Sequence, residues 1–254
     1  YTLGMSYPYN VIDWLICMGA GVGISNGVVR VVDPKKQHVV ALIGDSTFFH
    51  SGIPPILNLI KNNVNISIVI LDNYTTAMTG HQSTISTPIT VDPENDSRIT
   101  ISELLNAFHI DNIFNLDGYS IKLMEKEFLK AFSTKGVNAI LVSAECALNK
   151  ARRLKNLKNQ IGSIKYLQIS DACQKCNECY EKLGCTAIQI VDDNYKIIED
   201  RCVSNFCDAC YQICPNHTIY RTILNVHKIE NTSNKFKATS RDFNNSKQNQ
   251  KKVD

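Results

Sequence analysis

Val39-Val40-Ala41-Leu42-Ile43-Gly44-Asp45-Ser46 decides the fold: five apolar residues run without a break into a glycine and then an acid. A short, β-branched run of this kind reads as a strand covered on both faces, as in parallel sheets. Ile66-Ser67-Ile68-Val69-Ile70-Leu71 and Ala139-Ile140-Leu141-Val142 repeat the pattern. Between the first two runs, Ile53 to Lys61 has helical spacing, with Pro54 and Pro55 in the first turn. Before the third, Ile121 to Phe132 is amphipathic, and Leu123, Phe128 and Phe132 are expected to share its buried side. Strand, helix, strand, helix, strand predicts an α/β domain on a parallel sheet across residues 1–150.

Gly44-Asp45-Ser46 follows directly on the first strand, and Asn73 follows closely on the second. Both therefore belong at the carboxyl edge of neighbouring strands, where open α/β sheets bind their ligands. Mg2+ takes hard oxygen ligands in octahedral geometry and is commonly shared with phosphates. Asp45 offers a carboxylate, Asn73 a side-chain carbonyl and Thr75 a backbone carbonyl, while Gly44 lets the chain turn close to a diphosphate. The competing reading makes Asp45 an ordinary helix N-cap and Asn73 a turn residue.

Ten cysteines are present, and all but Cys17 and Cys146 lie between Cys173 and Cys214. Their spacing is Cys173-x2-Cys176-x2-Cys179-x5-Cys185, then Cys202-x4-Cys207-x2-Cys210-x3-Cys214-Pro215. In the bacterial two-cluster ferredoxin pattern the last cysteine of each run serves the other cluster. That pattern assigns Cys173, Cys176, Cys179 and Cys214 to one [4Fe-4S] cluster and Cys185, Cys202, Cys207 and Cys210 to the second. Two departures stand out: the first run ends Cys185-Thr186 rather than Cys-Pro, and Val203 to Phe206 lengthens a spacer where two residues are usual. Paired four-cysteine zinc sites are the alternative. Ala187 to Val191 and Tyr195 to Ile198 read as short strands around an Asp192-Asp193-Asn194 turn. Together these features predict a small α+β, ferredoxin-like domain over residues 164–222.

Charge excludes little: 27 Lys and Arg against 24 Asp and Glu leave +3, so neither nucleic acid nor a membrane is an expected partner. No apolar run approaches the ~20 residues that span a bilayer, and no signal-peptide pattern opens the chain, so a cytoplasmic protein is expected. Clustered cysteines without secretory features fit metal binding in a reducing compartment. Leu148 to Lys158 is basic and reads as a solvated helical linker, with the domain boundary at 151–163. Residues 223–254 form a polar tail that reads as disordered. Tyr1 stands where an initiator Met is usual, and the opening reads like mid-domain sequence, as in a fragment, a processed product or a split subunit.

Gly44-Asp45-Ser46-Thr47-Phe48-Phe49-His50-Ser51-Gly52 and Leu71-Asp72-Asn73-Tyr74-Thr75-Thr76-Ala77-Met78-Thr79-Gly80-His81-Gln82 resemble the thiamine-diphosphate domain of the indolepyruvate ferredoxin oxidoreductases, alpha subunit. These belong to the 2-oxoacid:ferredoxin oxidoreductase family, and the resemblance runs from Tyr1 to about Arg221. It implies that Asp45, Asn73 and Thr75 hold Mg2+ and that Cys17-Met18-Gly19-Ala20-Gly21 is the loop beside the cofactor. Met18, Gly19, Ala20, Gly44, Asp45, Ser46, Asn73, Thr75, Ala77, Met78 and Thr79 would line thiamine diphosphate. His50 and His81 would contact cofactor or substrate, or else be satisfied locally. The Cys17 thiol reads as a small buried hydrophobe, and Cys146 has no assigned role.

The family reaction implied is oxidative decarboxylation of an arylpyruvate with coenzyme A, giving an acyl-CoA and CO2. Electrons would leave through the two clusters to an external ferredoxin. The acid that activates the cofactor's aminopyrimidine is expected outside this chain, on an N-terminal pyrimidine-binding half or a separate subunit. A beta subunit is a further expected partner. Catalysis therefore needs complementation. Two other readings compete: an iron-sulfur electron carrier with a vestigial thiamine site, and a degenerate remnant.

Overall fold

The computed structural model describes residues 2–87, 99–150, 152, 163–203 and 207–225. Of the expected tail, residues 226–254 lie outside these residues, as does most of the basic linker, while 223–225 end a paired strand and so do not belong to the tail. Four strands form one sheet: β1 (Val40–Gly44), β2 (Ile66–Asp72), β3 (Asn112–Asp117) and β4 (Val137–Ser143), in the order β1-β2-β4-β3. Every neighbouring pair is parallel. The three runs read from sequence are all strands, each within two residues of the expected ends.

Alternation along the strands sends side chains to two faces. Ile66, Ile68 and Ile70 of β2, with Ala139 and Leu141 of β4, pack against Val22 of α1 (Ala20–Val28) and against Ile56 and Leu59 of α3 (Ile53–Lys61). Ile101 and Leu105 of α4 (Ile101–Ala107) join that face. Val69 and Ile140 point the other way, into Ala131, Met124, Phe128 and Phe132 of α5 (Ile121–Ser133). Each fully buried isoleucine contributes about 1.5–3 kcal/mol relative to exposure. A helical turn, α2 (Asp45–Thr47), and a π turn (Phe48–Gly52) join β1 to α3.

Leu123 departs from expectation: it is 48% exposed, and Met124 takes its place against the core. Met124, Phe128 and Phe132 fall at successive four-residue steps along one stripe, which Leu123 misses. Strand β3 was not read from sequence, because it is an outer strand in which only Leu116 is buried.

The cysteine-bearing part holds two antiparallel pairs, β5 (Ser163–Ile169) with β8 (Ile219–Asn225) and β6 (Ile188–Val191) with β7 (Asn194–Ile197). The hairpin read from sequence is present as β6 and β7. Asp192 and Asp193 take φ 51° and 60° between them, the left-handed pair of a type I′ turn. Cysteines do the work of a core here: Cys179, Cys210 and Cys214 are buried with Leu167, Ile188 and Ile219. Gln212 links this part to the sheet domain, accepting from the Ile121 amide at 2.9 Å and donating to the Tyr119 carbonyl at 2.7 Å. Lys150, at the start of the basic segment, lies over the Tyr119 ring at 5.3 Å. Among the described residues no helix is long and apolar enough to cross a membrane.

Candidate functional site

The register of β1 on β2 pairs Gly44 with Leu71, which sets Asp45 beside Asp72 where the strands end. Both carboxyls are buried, 4% and 6% exposed. Asp45 Oδ1 accepts from the Ser46 amide at 2.7 Å, and its Oδ2 accepts from the Thr75 amide at 3.2 Å. The Thr75 amide also donates to Asn73 Oδ1 at 3.0 Å. Asp45, Asn73 and Thr75 are thus brought to one point, as the sequence predicted. Gly44 is the N-cap of α2 and Asp45 its first residue, so Asp45 is not an N-cap. Asn73 does make the Asx turn of the alternative reading, since its side chain binds an amide two residues on.

Burial, with a smaller push from Asp45, raises the Asp72 carboxyl to about 6 against a hydrogen bond from the Tyr74 amide. Burial also raises Asp45, against hydrogen bonds from Ser46, Thr75 and Asp72. Two adjoining carboxyls out of water are an arrangement that a divalent cation completes. Asp72 was not given a role from sequence; its alignment with Asp45 across the sheet is the signal that finds it.

The loop after Asn73 folds back over this point. Thr76 and Gln82 form a bridge, Thr75 Oγ1 donates to the Gln82 carbonyl at 3.0 Å, and the His81 amide donates to the Thr76 carbonyl at 3.0 Å. Ala77–Thr79 is a short 3-10 turn whose Met78 is 79% exposed. From the other side comes Gly19, at φ 86°, where a Cβ would meet Ser51 Oγ at 2.2 Å. That close approach seats the loop with Met18 and Ala20 on the turns that follow Asp45. Met18 is 64% exposed.

Cys17 is exposed, not buried, because it precedes α1 among the exposed residues Trp14 to Met18 and no core element covers it. His50 is exposed. His81 is half-buried, and its Nε2 has no hydrogen-bond partner. Cys146, given no role from sequence, donates its amide to the Asn73 carbonyl at 3.2 Å.

Four of the eight clustered cysteines, Cys173, Cys176, Cys179 and Cys214, line one recess. Burial pushes the Cys179 thiol up to about 11, helped by Cys173, Cys214 and Cys176. Burial likewise pushes Cys210 up to about 12, and Cys202, Cys185, Cys207 and Cys179 add to it. Burial works to raise Cys214 too, yet hydrogen bonds from the Thr218 hydroxyl and the amides of Thr218, Asn216 and Ile219 hold it below its ordinary value. Donors aimed at a sulfur favour thiolate, the form that binds metal. Among the described residues no three His, Cys, Asp or Glu side chains converge on a single-ion site.

Residues 1–142 match the family described as thiamine pyrophosphate enzyme, C-terminal TPP binding domain. Indolepyruvate oxidoreductase subunit IorA of Archaeoglobus fulgidus is 34% identical over 221 residues, 86% of this chain and 34% of that protein. The subunit of the same name from Thermococcus kodakarensis is 34% identical over 229 residues, 85% of this chain and 34% of that protein. The chain thus spans about a third of the length of these curated relatives. A solved 2-oxoglutarate:ferredoxin oxidoreductase from Magnetococcus marinus aligns with 50% of this chain and 45% of its own, at 19% identity and a TM-score of 0.44. The chain therefore belongs to the thiamine pyrophosphate enzymes, through their C-terminal TPP binding domain.

Proposed function

We propose that this chain is the diphosphate-binding and electron-collecting part of a thiamine-diphosphate-dependent 2-oxoacid:ferredoxin oxidoreductase acting on arylpyruvates. The observation that carries this reading is the convergence of Asp45, Asn73 and Thr75 at the ends of two adjacent parallel strands. Asp45, the Asn73 side chain and the Thr75 carbonyl hold Mg2+, and the cation relieves the buried carboxyl pair. Gly44, Ser46 and the Met18-Gly19-Ala20 loop approach the diphosphate, while Ala77, Met78 and Thr79 border the rest of the cofactor. Bound there, thiamine diphosphate supplies the electron sink for loss of CO2 from the 2-oxoacid.

The cysteine part is a ferredoxin-like domain over residues 164–222. Cys173, Cys176, Cys179 and Cys214 hold one [4Fe-4S] cluster, and Cys185, Cys202, Cys207 and Cys210 hold the second. Bound clusters supply one-electron transfer to an external ferredoxin. The recess that Cys173, Cys176, Cys179 and Cys214 share supports the first set, as do the donors around Cys214. Coenzyme A is the acyl acceptor. The acid that activates the aminopyrimidine comes from a pyrimidine-binding half or subunit, and a beta subunit completes the enzyme in the cytoplasm.

The test is complementation: the chain, reconstituted with iron and sulfide and mixed with a pyrimidine-binding half from an IorA subunit, is assayed for arylpyruvate-dependent dye reduction. Activity that needs both pieces is expected. A chain that takes up clusters but yields no activity with any complement, and binds no thiamine diphosphate, would leave the electron-carrier reading in its place.

A further inference from the structure

His81 lies in the loop that closes over the Asp45–Asn73 point, and two features of it are unexplained by the fold. Its backbone is left-handed, φ 64°, next to Gly80 at φ 124°. A side chain larger than glycine enters that region at a cost, so the loop is held by something stronger. What holds it is visible: Thr79 Oγ1 donates to Gln82 Oε1 at 2.7 Å, Gln82 Nε2 donates to the Thr79 carbonyl at 2.9 Å, and the His81 amide bonds to Thr76. Through Thr75 this framework is tied to Asp45.

The imidazole is held as firmly by chemistry. Arg152 Nη1 lies 3.5 Å from His81 Nδ1. A guanidinium can only donate, so Nδ1 must present its lone pair and the ring proton resides on Nε2. Nε2 is buried and, among the described residues, has no hydrogen-bond partner. A buried donor without an acceptor is costly, and a fold removes it unless a ligand supplies the acceptor.

We propose that His81 contacts ligand: its Nε2–H is held ready for an anionic oxygen entering the site that Asp45, Asn73 and Thr75 define. This rests on the thiamine-diphosphate reading of that site. The oxygen belongs either to the cofactor's diphosphate or to the carboxylate of the 2-oxoacid.

Two variants and one spectroscopic signal test it. His81→Asn keeps a residue that tolerates the left-handed backbone but removes the Nε2 donor; His81→Gln places an amide N–H near the Nε2 position. Thiamine diphosphate with Mg2+ is titrated into the wild-type chain and each variant, and phenylpyruvate is then titrated into the loaded chain. One of the two affinities is expected to fall about 10- to 100-fold in His81→Asn and to recover in His81→Gln. Loss at the first titration assigns the diphosphate; loss only at the second assigns the carboxylate. In the wild type the His81 15Nε2 resonance is expected to shift, and its proton to exchange more slowly, when the same ligand is added. Unchanged affinities in a folded His81→Asn, with an unmoved Nε2 signal, overturn the proposal alone. A wild-type chain that binds no thiamine diphosphate overturns the reading of the site and this proposal with it.

Discussion

The Thr75 amide donates to Asp45 Oδ2 at 3.2 Å, joining residues 30 apart in sequence across the ends of two adjacent strands. That contact makes one site of two loops. It also leaves Asp45 and Asp72 adjoining and buried, an arrangement that favours ligand over stability. Asp45→Asn is therefore expected to raise the stability of the ligand-free chain by about 1 kcal/mol while removing its stabilisation by Mg2+ and thiamine diphosphate. Paired thermal melts with and without both ligands read the two effects separately.

Gly19 is the second constraint on the site. With φ 86° and Ser51 Oγ 2.2 Å from the place of a Cβ, Gly19→Ala strains the backbone and pushes on Ser51 together. A loss of about 1–3 kcal/mol is expected in urea unfolding. Gly23→Ala, where nothing lies within 4 Å, is the control and is expected to be neutral or stabilising.

Much of this was legible in sequence, for identifiable reasons. Strands β1, β2 and β4 occupy interior or well-covered positions, so their residues form continuous apolar runs, and Gly44-Asp45 and Asn73 mark their ends. Strand β3 alternates Asn112, Phe114 and Leu116 with exposed or half-exposed neighbours, so no such run announces it. Helix α4 was legible but passed over: Thr100 and Glu103 form a capping box that the Thr-x-x-Glu spacing spells out. Asp72, Gly19 against Ser51 and the orphaned Nε2 of His81 depend on distant chain segments meeting, which no local pattern encodes. The cysteine spacing, by contrast, points to Cys173, Cys176, Cys179 and Cys214, which line one recess.

Gln212 sits between Cys210 and Cys214 and binds two backbone groups of the sheet domain. Gln212→Ala leaves the Ile121 amide and the Tyr119 carbonyl without that partner, at a cost of about 1–3 kcal/mol. Limited proteolysis is expected to cleave the variant between the two parts faster than the wild type. Equal cleavage rates would mean that the bridge contributes nothing to their association.

His38 gives the pH dependence. Burial lowers its pKa below 6.5, while Nε2 contacts Ser67 Oγ at 2.9 Å and the ring lies 5.1 Å from Phe132. Because the unfolded chain takes up the proton first, this contribution is complete above pH 6.5. It is lost as pH falls through that value toward the lower folded one. The stability difference between wild type and His38→Gln, from urea midpoints, is expected to shrink between pH 8 and pH 5.5.

Cysteine pairing is tested by single substitutions. Cys214→Ser is expected to remove the same cluster, by iron content and electron paramagnetic resonance, as Cys173→Ser, and Cys185→Ser the same one as Cys210→Ser. Zinc in place of iron after anaerobic reconstitution would reject both assignments.

Calorimetric titration of thiamine diphosphate and Mg2+ into the chain tests the central claim most directly. Saturable binding that requires the cation, and that Asp45→Ala and Asn73→Ala each abolish, is the predicted result. Binding that is indifferent to Mg2+ and survives both substitutions would contradict the account.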